Sequence, residues 1–541
     1  MTNQLLPRRQ RRRVTQSERA IAPHPRQRLL TTLSIVLIGI GILLRVMQFA
    51  SGRSLWADEA KLALNILDRS YLELTQVLDY DQVAPIGFLW VEKLATQLLS
   101  NAEVALRIFP FAASIASLVL ICQIARRYLH PVGVPIAIAL FALHAREIYY
   151  SSEIKQYSSD VMVALLLVAV IYSPSPLLTR RQIWLFSGVG AIAVWLSHPS
   201  IFILASLALT QILSQIIRTI RDKKAFQLGA WVPVYGAWAV SFLAFYFLSV
   251  SENSGNDTLL TSWASRRAFP AGFPDLDWLF YSLKRLFWKP LDFPKPFFDK
   301  VAIAACLAGI VSLARRKGEA VGLLLLPLVM TLVAAYLHKY PFYSRVILFL
   351  IPFMALLMAQ GVAWLITLRV EIPNLRSTWT RIAASFLGCI WVGLLLYVPA
   401  AKAQAYLTPP VTDEEIKPVM AYIEENWQSG DLIYVFQKSQ FQFEFYREQY
   451  GFDADEYVVG VDPDAYVETD FGKVKRLYRQ NLRQFCGRDR LWVLISDLKI
   501  RPQTEFMLER LDQWGDRRDS FEVDALASSV YLYDLGQCSG K

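Results

Sequence analysis

The chain has 541 residues, of which 54% are apolar and only 19% are charged, and its formal net charge is +10. A mean hydropathy of +0.31 excludes a chain built only of soluble globular domains, because so few polar residues could not cover so much apolar surface. Apolar runs of roughly 17–22 residues alternate with short charged segments, and runs of this length cross a hydrocarbon core of roughly 30 Å. The composition therefore predicts a polytopic α-helical membrane protein.

A strongly basic segment opens the chain. Eight arginines precede residue 29, and Glu18 is the only acid among them. The mainly apolar stretch from Leu29 to Ala50 is too long for a signal-peptide core and is interpreted as a signal anchor. We read residues 1–28 as a cytoplasmic tail lying against anionic headgroups, and we expect no nucleic-acid partner.

The apolar runs define a transmembrane domain over residues 29–404, with about eleven helices. The predicted spans are 29–50, 104–125, 131–149, 157–173, 182–198, 200–217, 228–250, 300–314, 319–337, 346–367 and 382–400. With the N-terminus inside, every alternate loop holds a cluster of Arg or Lys, as the positive-inside rule requires. The predicted location is therefore a plasma (inner) membrane, crossed many times, with the C-terminus outside.

Two long outer loops result, over residues 51–103 and 251–299. Residues 83–100 are apolar enough to be counted as a further span, but this would place five basic clusters outside. We interpret this segment as an interfacial helix on the outer leaflet, with Glu92 and Lys93 toward water.

Residues 405–541 differ from the rest, because their apolar runs are short and charges are frequent. Runs at 431–436, 491–498 and 530–535 are typical of strands, and helical patterns separate them, which predicts a small extracytoplasmic α/β domain. Residues 412–415 are typical of a capping box that opens a helix. Cys486 and Cys538 could form a disulfide on the outer side.

The first outer loop carries the best candidates for chemistry. Asp58 and Glu59 stand where a helix should begin, close to the membrane surface, and a carboxylate there could deprotonate an acceptor hydroxyl. The structural alternative is that acids stabilise helix N-termini. Asp79 and Asp81 form a D-x-D pair that could bind a divalent cation or be simply solvated, so no cofactor is firmly implied.

The turn between the third and fourth predicted spans is dense in polar residues. Glu153, Tyr157 and Asp160 share one helix face, Arg146 lies on the preceding span, and Lys155 could contact a phosphate. Ionisable groups at membrane depth usually line a cavity or pair with each other, so either substrate binding or a structural polar network is compatible with this pattern.

Tyr343 and Arg345 lie at the last long outer turn. A guanidinium at this level suits a lipid-linked phosphate, because its planar fork donates hydrogen bonds in pairs. Snorkelling to headgroups is the alternative. The common hydrolase, metalloprotease and nucleotide-binding motifs are absent from the sequence.

These features resemble the GT-C superfamily of membrane glycosyltransferases. More narrowly, the chain is similar to the bacterial branch related to protein O-mannosyltransferases, aminoarabinose transferases and the RgtA/B/C/D-like enzymes. The resemblance is carried by LWADEA at 55–60, APIGF at 84–88, LRIFP at 106–110 and YSSEIKQY at 150–157.

The resemblance implies an inverting hexosyl- or pentosyltransferase that uses a polyprenyl-phosphate-linked sugar and a glycan, lipid or protein acceptor. Asp58 matches the catalytic aspartate of the family, Glu59 its acidic neighbour, and Arg345 the basic residue that holds the donor phosphate. One departure stands out. Residues 82–84 are Gln-Val-Ala where aminoarabinose transferases carry an acidic–basic pair, which leaves Lys155 as a substitute phosphate ligand.

A transporter or flippase of a lipid-linked glycan is the main alternative. That class favours charges at the bilayer midplane and two related halves. Here the charges gather at one predicted surface, and no second half repeats the DEA loop. A non-catalytic assembly or receptor protein is the third reading.

Overall fold

The structure is a computed structural model that describes residues 25–172, 177–223, 225–250, 257–367, 378–408, 414–461, 471–496, 502–523 and 528–538. Most of the chain is helical. In chain order the helices are α1 Pro25–Ala50, α2 Ala57–Asp68, α3 Ile86–Leu98, α4 Ala102–Tyr128, α5 Gly133–Ala142, α6 Ala145–Tyr149, α7 Tyr157–Ile171, α8 Arg180–Leu196, α9 Ser200–Asp222, α10 Val232–Phe245, α11 Asp257–Ser265, α12 Leu276–Trp288, α13 Phe298–Arg316, α14 Gly318–Tyr336, α15 Ile351–Ile366, α16 Thr378–Ala403, α17 Lys417–Glu425, α18 Gln440–Tyr446, α19 Phe471–Leu482 and α20 Pro502–Trp514.

Within the described residues, seven helices are long and apolar enough to cross a membrane, and an eighth is counted if one bent pair is a single span. The fold class predicted from the sequence, a polytopic α-helical membrane protein with a small C-terminal sheet domain, is confirmed. Each predicted span coincides with a helix, with one exception at 131–149.

In the exception, residues 131–149, the helix is interrupted near one end of the bundle. The chain stops being helical at Leu143, so the predicted continuous span is divided into α5 and the short α6. The segment Ala145–Ser152 is then bent by 112° from α7. The 10 residues of α5 cover about 15 Å, roughly half of a hydrocarbon core. The polar turn between α5 and α7 therefore takes the place of the second half of the predicted span.

The opposite end of the bundle gathers the basic clusters. Arg127 at the end of α4 donates to the carbonyl of Tyr172, 3.0 Å away, and Lys317 donates to the carbonyl of Arg127 at 2.9 Å. Arg218 near the end of α9 and Tyr172 both bond Glu319 at the start of α14. Four of the loops predicted to lie on one side of the membrane therefore meet at one end of the protein.

The outer loops are more structured than the sequence suggested. The loop at 251–299 contains α11 and α12, and the segment at 83–100 forms α3, as expected. The prediction that Glu92 faces water is wrong, because its side chain is fully buried. The sequence pattern does not show that α3 is packed against α4 and α8, so closely that a side chain at position 87 would meet the carbonyl of Trp195.

The C-terminal region is an α/β domain around one five-stranded sheet. Its strands are β1 Leu432–Val435, β2 Tyr457–Val459, β3 Leu491–Ser496, β4 Asp516–Val523 and β5 Ser528–Asp534, in the order β2-β1-β3-β5-β4. Strands β2, β1 and β3 are parallel, and β5 and β4 are antiparallel to their neighbours. A disulfide joins Cys486 to Cys538.

One face of this sheet packs on the first outer loop rather than on water. Ile433 and Trp492 of the sheet share a single buried cluster with Ala60 and Leu62 of α2 and Phe88 of α3. The domain and the first outer loop therefore lie on the same side of the helical bundle.

Candidate active site

Asp58 is the second residue of α2, which begins at Ala57 directly after an extended Trp56. Acidic side chains are favoured in the first turn of a helix, and this explains the local position of both Asp58 and Glu59. The two neighbours then diverge. Asp58 is about a quarter exposed, whereas Glu59 is completely buried.

The carboxylate of Asp58 is held by residues from three other turns. Arg345 donates from its Nη2 to Oδ2 at 2.7 Å, and the ammonium of Lys155 lies 3.3 Å from Oδ1. The amide of Gln82 donates to the same Oδ1 at 3.3 Å. The structure therefore brings together Asp58, Lys155 and Arg345, which the sequence had placed at three separate outer turns.

Arg345 keeps most of its hydrogen-bonding capacity. Its guanidinium lies between the rings of Trp56 and Tyr157, at 5.2 and 5.8 Å from their centroids. Aromatic faces attract a cation without using its N–H donors. Within the described residues, the one hydrogen bond from this side chain goes to Asp58, so four of its five N–H donors are left for a ligand. The preceding Ser344 has φ +38°, in the left-handed region.

Lys155 contacts Gln82, the first residue of the Gln-Val-Ala segment. Its side chain is only 7% exposed and donates to Oε1 of Gln82 at 2.5 Å. Gln82 thus bridges Lys155 and Asp58, accepting from one and donating to the other. Gln82 from the first loop and Lys155 from the α6–α7 turn thus both contact Asp58.

The electrostatics favour an ionised Asp58. Burial alone would raise the pKa of this carboxyl, but the positive charges of Lys155 and Arg345 and the hydrogen bond from Gln82 outweigh it. The resulting pKa lies far below the usual value of Asp. Asp58 is therefore a carboxylate across the whole neutral range.

Glu59 takes part in a separate network of hydrogen bonds that is completely buried. Arg53 donates to its two oxygens at 2.6 and 3.0 Å, and both side chains have zero exposure. The backbone N–H of Ile154 donates to Oε1 at 2.8 Å, and Arg107 approaches within 4.0 Å. Glu59 thereby fixes the α6–α7 turn, which carries Lys155, against the loop that carries Asp58.

Glu153 and Asp160 are also buried. The prediction that Glu153 shares a helix face with Tyr157 and Asp160 is wrong, because Glu153 has an extended backbone and α7 begins only at Tyr157. Both oxygens of Glu153, and Oδ1 of Asp160, have no hydrogen-bond partner within the described residues. Tyr157 lies between these two acids along the chain and stacks edge-on against Tyr150 at 5.1 Å.

Three other predicted site residues lie away from the carboxylate of Asp58. Arg146 pairs with Asp292 of the second outer loop at 3.3 Å, and Tyr343 packs against the guanidinium of Arg285 at 4.9 Å. Asp81 sits beside Gln82 with φ +56°. Its partner in the predicted D-x-D pair, Asp79, forms an ion pair with Arg69 at 2.8 Å. The described residues contain no group of three or more His, Cys, Asp or Glu side chains placed to hold a metal ion.

Sequence reasoning missed Arg53, Gln82, Trp56 and Arg107 as parts of this site. Arg53 stands five residues before Asp58 in a segment just outside a span, which is a signal in itself. Arg107 lies in the LRIFP motif at 106–110, at membrane depth, where an unpaired cation would be costly. Either residue could have been identified as the buried partner of an acid.

Comparison with known proteins bears on the fold and on the family resemblance. Residues 83–261, about a third of the chain, match the family model of dolichyl-phosphate-mannose-protein mannosyltransferases. No curated protein sequence matches the chain. The structure of ArnT from Cupriavidus metallidurans bound to undecaprenyl phosphate aligns with 92% of this chain and 97% of its own, with a TM-score of 0.50 and 11% identity.

Two further structures align with lower scores. The Archaeoglobus fulgidus oligosaccharyltransferase tethered to an acceptor peptide has a TM-score of 0.44 and 11% identity, over 77% of this chain and 63% of its own. The mycobacterial arabinofuranosyltransferase AftD has a TM-score of 0.41 and 15% identity, over 94% of this chain and 42% of its own. The family match and the fold shared with ArnT confirm the resemblance to the GT-C superfamily.

Proposed function

We propose that this GT-C-like chain is a glycosyltransferase that moves a sugar from a polyprenyl-phosphate-linked donor to a hydroxyl of an acceptor, with Asp58 as the base. The observation that carries the proposal is the meeting of Lys155 and Arg345 on the partly exposed carboxylate of Asp58. A carboxylate beside two cations that retain free donors suits a substrate with a phosphate next to the reacting carbon.

The proposed step is a single inverting displacement. The acceptor oxygen attacks the anomeric carbon of the sugar, the bond from that carbon to the phosphate oxygen breaks, and the acceptor proton passes to Asp58. The leaving polyprenyl phosphate keeps the electron pair, so its charge changes from −1 to −2. Arg345 and Lys155 are positioned to stabilise this added negative charge, which is the largest electrostatic change in the reaction.

The ion pairs of Asp58 suggest how the base is controlled. A carboxylate with a very low pKa is a weak base, and a base works best when its pKa is near the operating pH. A bound donor phosphate would compete with Asp58 for Lys155 and Arg345 and would raise the pKa of Asp58. We infer that donor binding activates Asp58, so that the base is competent only when a sugar is in place.

Other residues have supporting roles in the proposal. Tyr157 and Trp56 orient Arg345, and Glu59 acts through Arg53 and the Ile154 amide as a positioning residue, since its burial denies it contact with substrate. Arg146, Tyr343 and Asp81 line outer segments further from Asp58, where an acceptor could contact them.

We further propose that the site faces the outside of a plasma membrane, with the N-terminus in the cytoplasm and the C-terminal domain outside. The clustering of the basic loops at the end opposite Asp58 supports this orientation, because such clusters stay on the cytoplasmic side. We retain 1–28, 29–404 and 405–541 as the domain division. The acceptor would then be a glycan, lipid or protein of the cell envelope.

The test is transfer of sugar from a polyprenyl-phosphate donor by purified protein in lipid, for the wild type and for Asp58→Asn. Loss of a general base should lower the turnover number by about 100- to 10,000-fold. Asp79→Asn is the matched control, because Asp79 lies in the same loop, is 60% exposed and pairs with Arg69 rather than with the site. It should retain full activity.

The Asp58→Asn variant should still bind polyprenyl phosphate, because both cations remain. This binding can be measured as the increase in the thermal stability of the protein when polyprenyl phosphate is added. Unchanged transfer by this variant would contradict the assignment of Asp58. Movement of the intact donor across vesicles, without any transfer by the wild type, would favour a flippase instead.

A further inference from the structure

The C-terminal domain is hydrogen-bonded to the segment just before Asp58. The backbone N–H of Ser54 donates to both carboxylate oxygens of Glu415, at 3.1 and 3.0 Å, and the Ser54 hydroxyl also bonds this carboxylate. The N–H of Ala57 donates to Oε2 of Glu414 at 3.1 Å. Both acids are nearly inaccessible to water.

These bonds supply what the local sequence lacks. The first N–H groups of a helix have no partner within it and are usually bonded by a Ser, Thr, Asp or Asn just before the helix. The residue before α2 is Trp56, whose side chain makes no such bond. Glu414, which is 357 residues away in the chain, accepts from the first helical N–H, which has no partner within the helix. Residues 412–415 were predicted to cap their own helix. Thr412 lies outside the described residues, and Glu415 instead bonds the Asp58 loop.

The two glutamates are themselves fixed by the C-terminal domain. Gln442 of α18 donates to Glu414, and the backbone N–H of Glu415 bonds Oγ of Ser528 at 3.2 Å. Ser528 in turn contacts Oγ of Ser496 at 2.8 Å, across the pair of strands β5 and β3. The position of the Asp58 loop is thereby tied to the central strands of the sheet.

The same domain reaches the other segment that orients Asp58. Phe441 of α18 packs against Tyr80, with ring centroids 4.6 Å apart, and lies under the ammonium of Lys61 at 4.8 Å. The carbonyl of Tyr80 accepts from the Gln82 amide that also donates to Asp58. Tyr80 holds φ +63°, a conformation costly for a bulky residue that persists only when its surroundings enforce it.

We propose that the C-terminal domain positions the base, with Glu414 and Glu415 as positioning residues that hold the start of α2 and so aim Asp58 at Arg345 and Lys155. This inference rests on the proposed function for its catalytic part. The glutamates accept hydrogen bonds from the backbone before Asp58, and not from its side chain. They act through backbone N–H groups at Ser54 and Ala57, four and one residues before it. The domain is then a structural part of the active site and not only a surface for acceptors.

The experiment compares the full-length protein with Glu414→Ala, Glu415→Ala, Glu415→Gln and Arg518→Ala. Arg518 is the matched control, because it pairs with Asp534 on an exposed part of the same domain. Hydrogen exchange of the backbone amides of residues 53–60 should become faster in both alanine variants and stay unchanged in the control. The turnover number should fall about 10- to 100-fold in the alanine variants, since a small misplacement of a reacting group can cost this much.

The Michaelis constant for the donor and the binding of polyprenyl phosphate should be unchanged, because Arg345 and Lys155 are intact. Glu415→Gln keeps an oxygen that accepts from Ser54 and should recover part of the lost turnover.

Unchanged exchange at residues 53–60 would overturn the proposal, and so would faster exchange with full turnover. Both results are distinct from a failure of the proposed function, in which the wild type would transfer no sugar while hydrogen exchange still responded to the glutamates.

Discussion

The two ends of the helical bundle use the same types of charged residue in opposite ways. At the end that holds Asp58, Arg53 and Glu59 form an ion pair with no exposure at all. At the other end, Arg218 and Glu319 form a pair in which each side chain is about a third exposed. An exposed pair costs little to keep and also contributes little, whereas a buried pair is costly to assemble and is strongly destabilising when half of it is removed.

This difference separates charges that orient the protein from charges that build its site. The clusters around Arg127, Arg218 and Lys317 bond carbonyls and Glu319, and in the proposed orientation they keep this end of the bundle on the cytoplasmic side. The charges around Asp58 are held in fixed geometry by packing and by each other. Three predictions use this contrast, beginning with the largest effect.

Arg53→Ala should be the most damaging of the three changes. It leaves the Glu59 carboxylate buried without its bidentate partner, and removal of one member of a buried pair costs about 3–5 kcal/mol. We expect a loss of this size in the free energy of unfolding, measured by chemical unfolding in detergent, together with loss of sugar transfer.

A double variant provides the control for this prediction. Arg53→Met combined with Glu59→Leu removes both charges and should be more stable than Arg53→Ala, because no unpaired ion remains in the interior. Equal destabilisation by the single and double variants would mean that the volume of Arg53, and not its charge, stabilises the loop.

Much of this contrast could be predicted from local sequence. Run lengths gave the helices, basic loops gave the two ends, and the position of Asp58 after a span together with a family resemblance gave the best candidate for the base. Lys155 and Arg345 were selected because a cation at an outer turn suits a phosphate. These inferences rely on properties of single segments, which a sequence states directly.

The pairings between distant segments could not be predicted. Asp58 and Glu59 are adjacent and have the same charge. Only the tertiary structure leaves Asp58 partly exposed and buries Glu59 in an ion pair with Arg53. Glu92 was expected to face water because the pattern of α3 does not reveal which of its faces pack against other helices. Contacts such as Glu415 with Ser54 span 361 residues and leave no local periodicity.

Lys155→Met should change the pH dependence of the reaction. The pKa of Asp58 in the folded protein lies below its unfolded value of about 3.9, so the ionised form and the stability it brings are fully present above that pH and are lost as the pH falls through the folded pKa. Removal of the Lys155 charge raises the pKa of Asp58. The acidic limb of kcat/KM should therefore move to higher pH by about one unit or more.

The measurement is a pH profile of transfer with the donor well below its Michaelis constant, where kcat/KM reports groups of the free enzyme. Lys93→Met is the matched control, because Lys93 donates to the carbonyls of Ile66 and Leu67 at the end of α2 and not to Asp58. An acidic limb that stays in place in Lys155→Met would show that Asp58 is not the group that titrates.

Arg218→Ala should have the smallest effect, although it also breaks an ion pair. Both partners remain in contact with water, so Glu319 is rehydrated when Arg218 is removed, and Tyr172 continues to bond it. We expect a loss of about 1 kcal/mol or less in the free energy of unfolding and unchanged transfer. Because exposed charges are screened by ions, high salt should lower the stability of the wild type and bring it close to that of the variant. A loss of stability as large as that of Arg53→Ala, or one that does not depend on salt, would contradict this prediction. It would mean that the Arg218–Glu319 pair contributes as much to stability as the buried pair near Asp58, and the distinction between orienting charges and site charges would fail.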